Sequence, residues 1–77
     1  MTRAEFLLHL DKIVEAVPGT LKGDEQLLDI LEWDSVGVLS FMAMVDEKFR
    51  IQLSAKDIAG CKTVNDLVAL PGDRITP

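Results

Sequence analysis

The chain has 77 residues, of which 48% are hydrophobic and 27% charged, and its net charge is −5. This composition is typical of one small globular domain and excludes a disordered segment. The negative charge makes nucleic acid an unsuitable partner and favours protein partners that carry basic patches.

The cysteine content and the lengths of the apolar runs exclude further classes of protein. A single cysteine cannot form an internal disulfide, and it fits no zinc or redox spacing. No apolar run approaches the roughly 20 residues of a membrane span, and the N-terminus lacks a signal-peptide pattern. We predict a soluble, cytoplasmic protein without membrane insertion, and nothing in the sequence requires more than a monomer.

The first predicted helix runs from Thr2 to Val17. Thr2 and Glu5 form a capping box at its start, and Pro18-Gly19 is expected to end it. Five apolar residues share one face at a helical period: Phe6, Leu10, Ile13, Val14 and Val17.

A long connection follows from Gly19 to Asp34. It is richer in large aliphatic residues than a free linker would be: Leu21, Leu27, Leu28, Ile30 and Leu31. We expect it to lie across the bundle, to bury some of these residues and to form a helical turn between Glu25 and Leu31. Such a long connection in a compact domain is often functional.

The second predicted helix, Ser35 to Arg50, has two apolar faces. The core face comprises Val38, Phe41, Met42, Val45 and Phe49. A second patch, which we call the outer patch, comprises Val36, Leu39 and Ala43. Either the outer patch is an exposed docking surface or it packs under the long connection.

Two further capping boxes predict two further helices. Ser54 with Asp57 opens a short helix that Gly60 would stop, and Thr63 with Asp66 opens the last helix. Strand signals are weak throughout the chain. The sequence therefore predicts an all-α fold, a small four-helix bundle of three main helices and one short helix with a long first loop.

Ser35 is the candidate functional residue. The Asp34 carboxylate can cap the second helix, which leaves the Ser35 hydroxyl free at the first helical position. The free N–H groups and the positive end of the helix dipole favour an attached or bound phosphate. From the residues alone, a structural cap remains the commoner role for such a serine.

No catalytic or metal-binding arrangement accompanies Ser35. An activated serine needs an adjacent base held by a third group, and the single histidine, His9, lies on the polar side of the first helix. We interpret His9 as a surface residue and Cys61 as a small apolar filler beside the short helix. The sequence predicts neither an enzyme nor a metal site.

Several motifs between residues 3 and 70 together resemble the acyl carrier proteins. Asp34-Ser35-Val36 opens a helix, Phe49 lies near its end, Ile51 to Leu53 follow, and Thr63 to Leu67 start the last helix. The resemblance implies a four-helix carrier domain over residues 1–71. The segment 72–77 has few apolar groups and ends in proline, so we expect it to be a flexible tail. The resemblance also implies that Ser35 is the attachment residue of a covalent 4'-phosphopantetheine, transferred from coenzyme A by a phosphopantetheinyl transferase. The thiol of this group would hold an acyl group as a thioester.

The resemblance further implies a recognition surface on the second helix and the loop before it. Mapped onto this sequence, its residues are Asp34, Val36, Leu39, Ala43, Asp46 and Glu47. The implied partners are acyl-loading and acyl-transfer enzymes with basic docking patches. Their contacts should be weak, since exposed ion pairs contribute only 0 to about 1 kcal/mol each.

Some positions depart from the usual carrier of fatty acid biosynthesis. Gly37 and Ser40 stand where acids are common, Lys48 interrupts the acidic run, and Trp33 precedes the Asp-Ser pair. These departures favour a carrier for a specialised lipid, polyketide or related acylation pathway.

The size of the aromatic side chains limits which acyl group the protein can enclose. Three phenylalanines at core positions, Phe6, Phe41 and Phe49, are expected to reduce any interior cavity, which favours a short or polar cargo. Met42 and Met44 weaken this expectation because methionine side chains can move aside.

Two alternatives to an acyl carrier remain open from the sequence. A peptidyl or aminoacyl carrier would use the same serine, although Glu32-Trp33-Asp34 favours the acyl type. A small helical protein-interaction module without a prosthetic group would use Ser35 as a cap, or as a phosphorylation site, and the outer patch as its partner site.

Overall fold

The computed structural model describes all residues from Met1 to Pro77 and contains four α-helices. The helices are α1 (Arg3–Ile13), α2 (Ser35–Phe49), α3 (Ala55–Ala59) and α4 (Val64–Ala69). Short 3₁₀ helices lie at Leu27–Asp29 and Gly72–Arg74. Apart from two isolated bridges there is no extended pairing, so the predicted all-α four-helix bundle is confirmed. None of the four helices has the length and hydropathy that a membrane span requires.

Three of the four helices begin with the capping boxes that the sequence predicts. In each, a Ser or Thr hydroxyl accepts a bond from the third helical N–H, and the acid at that position accepts one from the cap residue's N–H. The pairs are Thr2 with Glu5, Ser54 with Asp57, and Thr63 with Asp66. Local side chains therefore fix where α1, α3 and α4 start.

The core is formed by α1 packed against α2 and α4. Phe6 and Phe41 are fully buried and meet edge to face, with ring centroids 5.9 Å apart. Phe6 also stacks on Phe49 at 6.1 Å. Burying one such ring contributes about 1.5–3 kcal/mol. The buried hydrophobic residues are Phe6, Leu10, Val14, Leu21, Leu27, Phe41, Val45, Phe49, Ile58, Val64, Leu67 and Val68.

The first helix ends earlier than predicted. It stops at Ile13, Glu15 adopts a positive φ of 59°, and Val17 is 75% exposed. The prediction of a helix to Val17 was therefore wrong. The chain leaves the helix because Asp11, which is buried, binds the loop that follows: its carboxylate accepts bonds from the N–H groups of Gly19 (2.8 Å) and Leu21 (2.9 Å).

The long connection lies across the bundle, as predicted, and it is held to the start of α4. Leu27 N–H donates to the Lys62 carbonyl at 2.8 Å, and Asn65 N–H donates to the Gly23 carbonyl at 2.8 Å. Gly23 has a φ of 131°, and a Cβ there would collide with the side chains of Arg3 and Asn65. Only glycine fits this point of the connection.

The aliphatic residues of the connection divide between the core and the solvent. Leu21 and Leu27 are buried and Ile30 is half-buried, whereas Leu28 and Leu31 are exposed. The predicted helical turn is the 3₁₀ helix at Leu27–Asp29.

The last residues are bonded to the rest of the bundle. Arg3 N–H donates to the Thr76 carbonyl at 2.8 Å, and Thr76 N–H donates to the Met1 carbonyl at 3.0 Å. The Arg74 guanidinium donates to the Phe49 carbonyl at the end of α2 at 2.7 Å. The backbone of the segment 72–77 therefore pairs with the N-terminal segment, and its Arg74 side chain reaches the end of α2.

Candidate functional site

Ser35 is the first residue of α2, and its side chain faces the solvent. Asp34 is the N-cap, and its carboxylate accepts a bond from the Gly37 N–H at 3.0 Å. The predicted division of roles is confirmed, since Asp34 caps the helix and Ser35 does not. The Ser35 hydroxyl is thus available for substitution without loss of the cap.

The position of Ser35 suits a phosphate group electrostatically. The Asp34 cap takes the third N–H of the helix, so the N–H groups of Ser35 and Val36 have no partner within α2. The aligned peptide dipoles of this 15-residue helix add partial positive charge at the same end. A phosphodiester oxygen attached at Ser35 would therefore lie where a negative charge is stabilised.

Ser35 forms part of the wall of an apolar groove of about 760 Å³. The groove runs between the start of α2, the 3₁₀ turn of the long connection, and α3. Most of its walls are hydrophobic, with polar groups among the rest. The lining residues are Gln26, Leu27, Leu28, Trp33, Asp34, Ser35, Val38, Ala55, Ile58, Ala59, Cys61 and Lys62. A flexible group attached to Ser35 would have an apolar surface within reach.

The phenylalanines expected to limit an interior cavity are buried, and none of them lines this groove. Trp33 lies between the groove and the core, with its ring edge to face against Phe41 at a centroid distance of 5.7 Å and an angle of 71°. The groove beside Ser35 therefore borders the core at Trp33, Leu27 and Ile58, whereas Phe6 and Phe49 do not line it.

Cys61 forms part of the groove wall. Its thiol is half-buried and donates a weak bond to the Asp57 carbonyl at 3.7 Å. Burial raises the pKa of the Cys61 thiol, and the nearby carboxylates of Asp66 and Asp57 raise it further. The neutral thiol is an apolar surface, which agrees with the interpretation of Cys61 as a filler beside the short helix.

The outer patch of α2 is exposed. Val36 is 69% and Leu39 64% exposed, and Ala43 also faces the solvent. The interpretation that this patch packs under the long connection is therefore wrong. The remaining residues of the predicted recognition surface are exposed as well: Asp34, Asp46 and Glu47. Apolar side chains flanked by carboxylates form a surface suited to a partner with an apolar depression and basic residues around it.

Gly37 has a steric role that the sequence analysis did not detect. It is buried, and a Cβ at this position would lie 2.5 Å from the Glu32 carbonyl oxygen. The turn before Ser35 therefore packs directly on the first turn of α2. An acid at this position, as in many fatty acid carriers, would not fit this backbone.

His9 and the acidic residues do not form a second site with Ser35. His9 is half-buried beside Glu5, Leu8 and Lys12 on α1, and it does not line the groove. No group of three or more His, Cys, Asp or Glu side chains is placed to hold a metal ion.

Comparison with known proteins identifies the class. Residues 10–70 match the family described as "Phosphopantetheine attachment site". The chain is 31% identical over 72 residues to the acyl carrier protein of Rhodococcus erythropolis, a match that covers 88% of this chain and 79% of that protein. It is 28% identical to the meromycolate extension acyl carrier protein of Mycolicibacterium smegmatis, over 88% of this chain and 73% of that one. No solved structure gives a significant match.

A helical bundle with a phosphopantetheine attachment domain defines a carrier that works through a covalent prosthetic group. The chain belongs to the acyl carrier protein family. Members of this family carry covalently attached 4'-phosphopantetheine, and they are carriers rather than catalysts.

Proposed function

We propose that Ser35 bears the 4'-phosphopantetheine group and that the protein delivers acyl groups to partner enzymes in the cytoplasm. The position of Ser35 carries this proposal: it is exposed, it is not the helix cap, and it lies both at the positive end of α2 and in the wall of the groove. In attachment, the Ser35 hydroxyl oxygen forms a bond to the phosphorus of the coenzyme A pantetheine arm. The phosphoanhydride bond breaks, adenosine 3',5'-bisphosphate leaves, and the hydroxyl proton is released.

The bound group supplies a thiol that holds an acyl group as a thioester. The protein itself supplies the anchor, the surface that partners recognise and the groove. The outer patch with Asp34, Asp46 and Glu47 is the proposed recognition surface for the phosphopantetheinyl transferase and for acyl-loading and acyl-transfer enzymes with basic docking patches. Such contacts are weak individually, which allows the carrier to leave each partner.

The pathway we propose is a specialised lipid, polyketide or related acylation pathway. One observation supports a lipid pathway in particular, and a second supports a specialised pathway. Several similar proteins are named for meromycolate extension. In addition, Gly37, Ser40 and Lys48 make α2 less acidic than in general fatty acid carriers, and packing on Glu32 excludes an acid at Gly37.

The alternative is a small helical interaction module without a prosthetic group. The exposed outer patch would serve such a module equally well. The family match to a phosphopantetheine attachment site favours the carrier.

Intact mass spectrometry after incubation with coenzyme A, Mg²⁺ and a broad-specificity phosphopantetheinyl transferase tests the proposal. We expect the wild type to gain the mass of one phosphopantetheine group and Ser35→Ala to gain none. Ser40→Ala, which removes another exposed serine of α2, should still gain it. Unchanged mass of the wild type with several transferases would contradict the carrier and favour the interaction module.

A further inference from the structure

Trp33 forms part of the inner wall of the groove, together with the buried core residues Leu27 and Ile58. Its ring packs edge to face on Phe41, Phe41 packs on Phe6, and Phe6 stacks on Phe49. Four aromatic rings thus form a continuous row from the groove to the end of α2. An acyl chain that entered the core past Trp33 would have to displace these rings, of which Phe6 and Phe41 are fully buried.

The backbone around Trp33 is also constrained. Trp33 N–H donates to the Ile30 carbonyl at 3.1 Å, and Ile30 N–H donates to the Leu27 carbonyl at 3.1 Å. Leu27 is buried and is itself bonded to Lys62. On the other side, the Glu32 carbonyl packs against Gly37. These contacts fix the backbone at Trp33, and the edge-to-face packing on Phe41 orients the indole ring.

The outer side of the groove, unlike the inner wall, is exposed to the solvent. Leu28 lines the groove and is 100% exposed, so its side chain gains no burial in the unloaded protein. An acyl chain lying between Leu28 and Trp33 would cover both apolar surfaces. Each methylene that leaves water there would stabilise the folded protein, until the chain outgrows the groove.

We propose that Trp33 is a specificity-determining residue that confines the carried acyl chain to the groove and so sets the chain length that the protein shelters. This inference rests on the proposed attachment at Ser35. It places the acyl chain in the groove at the surface and not in a cavity inside the core. Short and medium chains would be covered, and the end of a long chain would extend into the solvent.

The test uses the full chain loaded at Ser35 with a series from acetyl to palmitoyl, transferred from the acyl-coenzyme A compounds. Trp33 is the only tryptophan, and the chain has no tyrosine, so its fluorescence reports directly on the groove. We expect the emission to shift as the chain lengthens and then to stop changing. The rise in melting temperature on acylation should reach its plateau at the same length.

Two matched variants test where the acyl chain lies. Trp33→Leu opens the inner wall and should move the plateau in melting temperature to longer chains. Phe49→Leu removes a ring at the far end of the row, away from the groove, and should leave the plateau where it is in the wild type.

Three outcomes would overturn the inference. The first is a melting temperature that rises steadily up to the palmitoyl form without a change in Trp33 emission, which would place the acyl chain in the core. The second is a plateau in melting temperature that moves in Phe49→Leu and not in Trp33→Leu, which would also place the acyl chain in the core. The third is an emission change that is already complete when only 4'-phosphopantetheine is attached, which would mean that this group, and not the acyl chain, occupies the groove. If mass spectrometry shows loading but one of these results follows, only the inference fails; if no loading occurs, the proposed function fails with it.

Discussion

Gly37 on α2 packs against the carbonyl oxygen of Glu32, at a distance that leaves no room for a side chain. The contact joins the turn that contains Trp33 to the helix that begins at Ser35. The groove wall and the attachment residue are thereby held in a fixed relation.

This contact predicts the effect of Gly37→Ala. In an ordinary helix interior, replacing glycine by alanine stabilises by about 0.5–1 kcal/mol. Here we expect a loss of about 1–3 kcal/mol, because the Glu32 turn must shift to admit the methyl group. Urea unfolding measures the difference.

Gly60→Ala is the control for Gly37→Ala. A Cβ on Gly60 meets only the Asp57 carbonyl oxygen, at 3.9 Å, and Gly60 has a φ of −79°. We expect this variant to be unchanged or stabilised by up to about 1 kcal/mol. Equal free energies of unfolding for the two variants would show that the Gly37 contact has no energetic weight.

Asp11 is predicted to be essential for the start of the long connection. Asp11→Ala leaves the N–H groups of Gly19 and Leu21 without their acceptor, at a cost of about 1–3 kcal/mol for each group that stays buried. Thermal unfolding should show a large fall in melting temperature, and hydrogen exchange should speed up at these two amides. Asp24→Ala, at an exposed position in the same connection, should change neither.

Stability should fall in acid through the capping boxes. A backbone N–H bond lowers the pKa of each box carboxyl, from Thr2 to Glu5, from Ser54 to Asp57, and from Lys62 to Asp66. Because these pKa values are lower in the folded chain than in the unfolded chain, the stabilisation is complete above about pH 5 and is lost as the pH falls through the folded values.

Melting curves from neutral pH to about pH 3 check this expectation. Asp66→Asn removes one of the carboxylates, so its melting temperature should lie below that of the wild type at neutral pH and approach it in acid. Two parallel curves would mean that Asp66 does not contribute to the acid transition.

The outer patch should affect partners and leave the fold unchanged. We expect Leu39→Asp to slow acylation by a loading enzyme about tenfold, the equivalent of about 1.4 kcal/mol of lost contact. Its stability should change by no more than about 0.5 kcal/mol because Leu39 is exposed. Leu8→Asp, at a half-exposed leucine on α1, is the control and should acylate normally. Equal rates for both variants would remove Leu39 from the recognition surface.

Features determined by local chemistry could be predicted from the sequence. The three capping boxes, the Asp34 cap and the exposed Ser35 each depend on residues within one helical turn. The outer patch could be located by periodicity, but its exposure depended on where the long connection runs.

The errors arose where a distant contact decides the structure. The apolar period of α1 continues to Val17, but the chain turns earlier because Asp11 binds the following loop. A signal was present, since Asp11 lies beside the apolar face, four residues after Leu7 and three before Val14. The groove and the packing of Gly37 on Glu32 likewise depend on how the connection folds back on α2, which no local pattern specifies.

The pairing of the first and last residues has a consequence for engineering. Thr2 and Thr76 are bridged side by side, and neither residue lines the groove. The domain could therefore be inserted into a surface loop of a host protein through two short linkers, as domains with adjacent termini generally tolerate. The same geometry favours a circular permutant that joins these ends and opens the chain elsewhere. Ser35 and the groove would stay accessible both in the inserted domain and in the circular permutant.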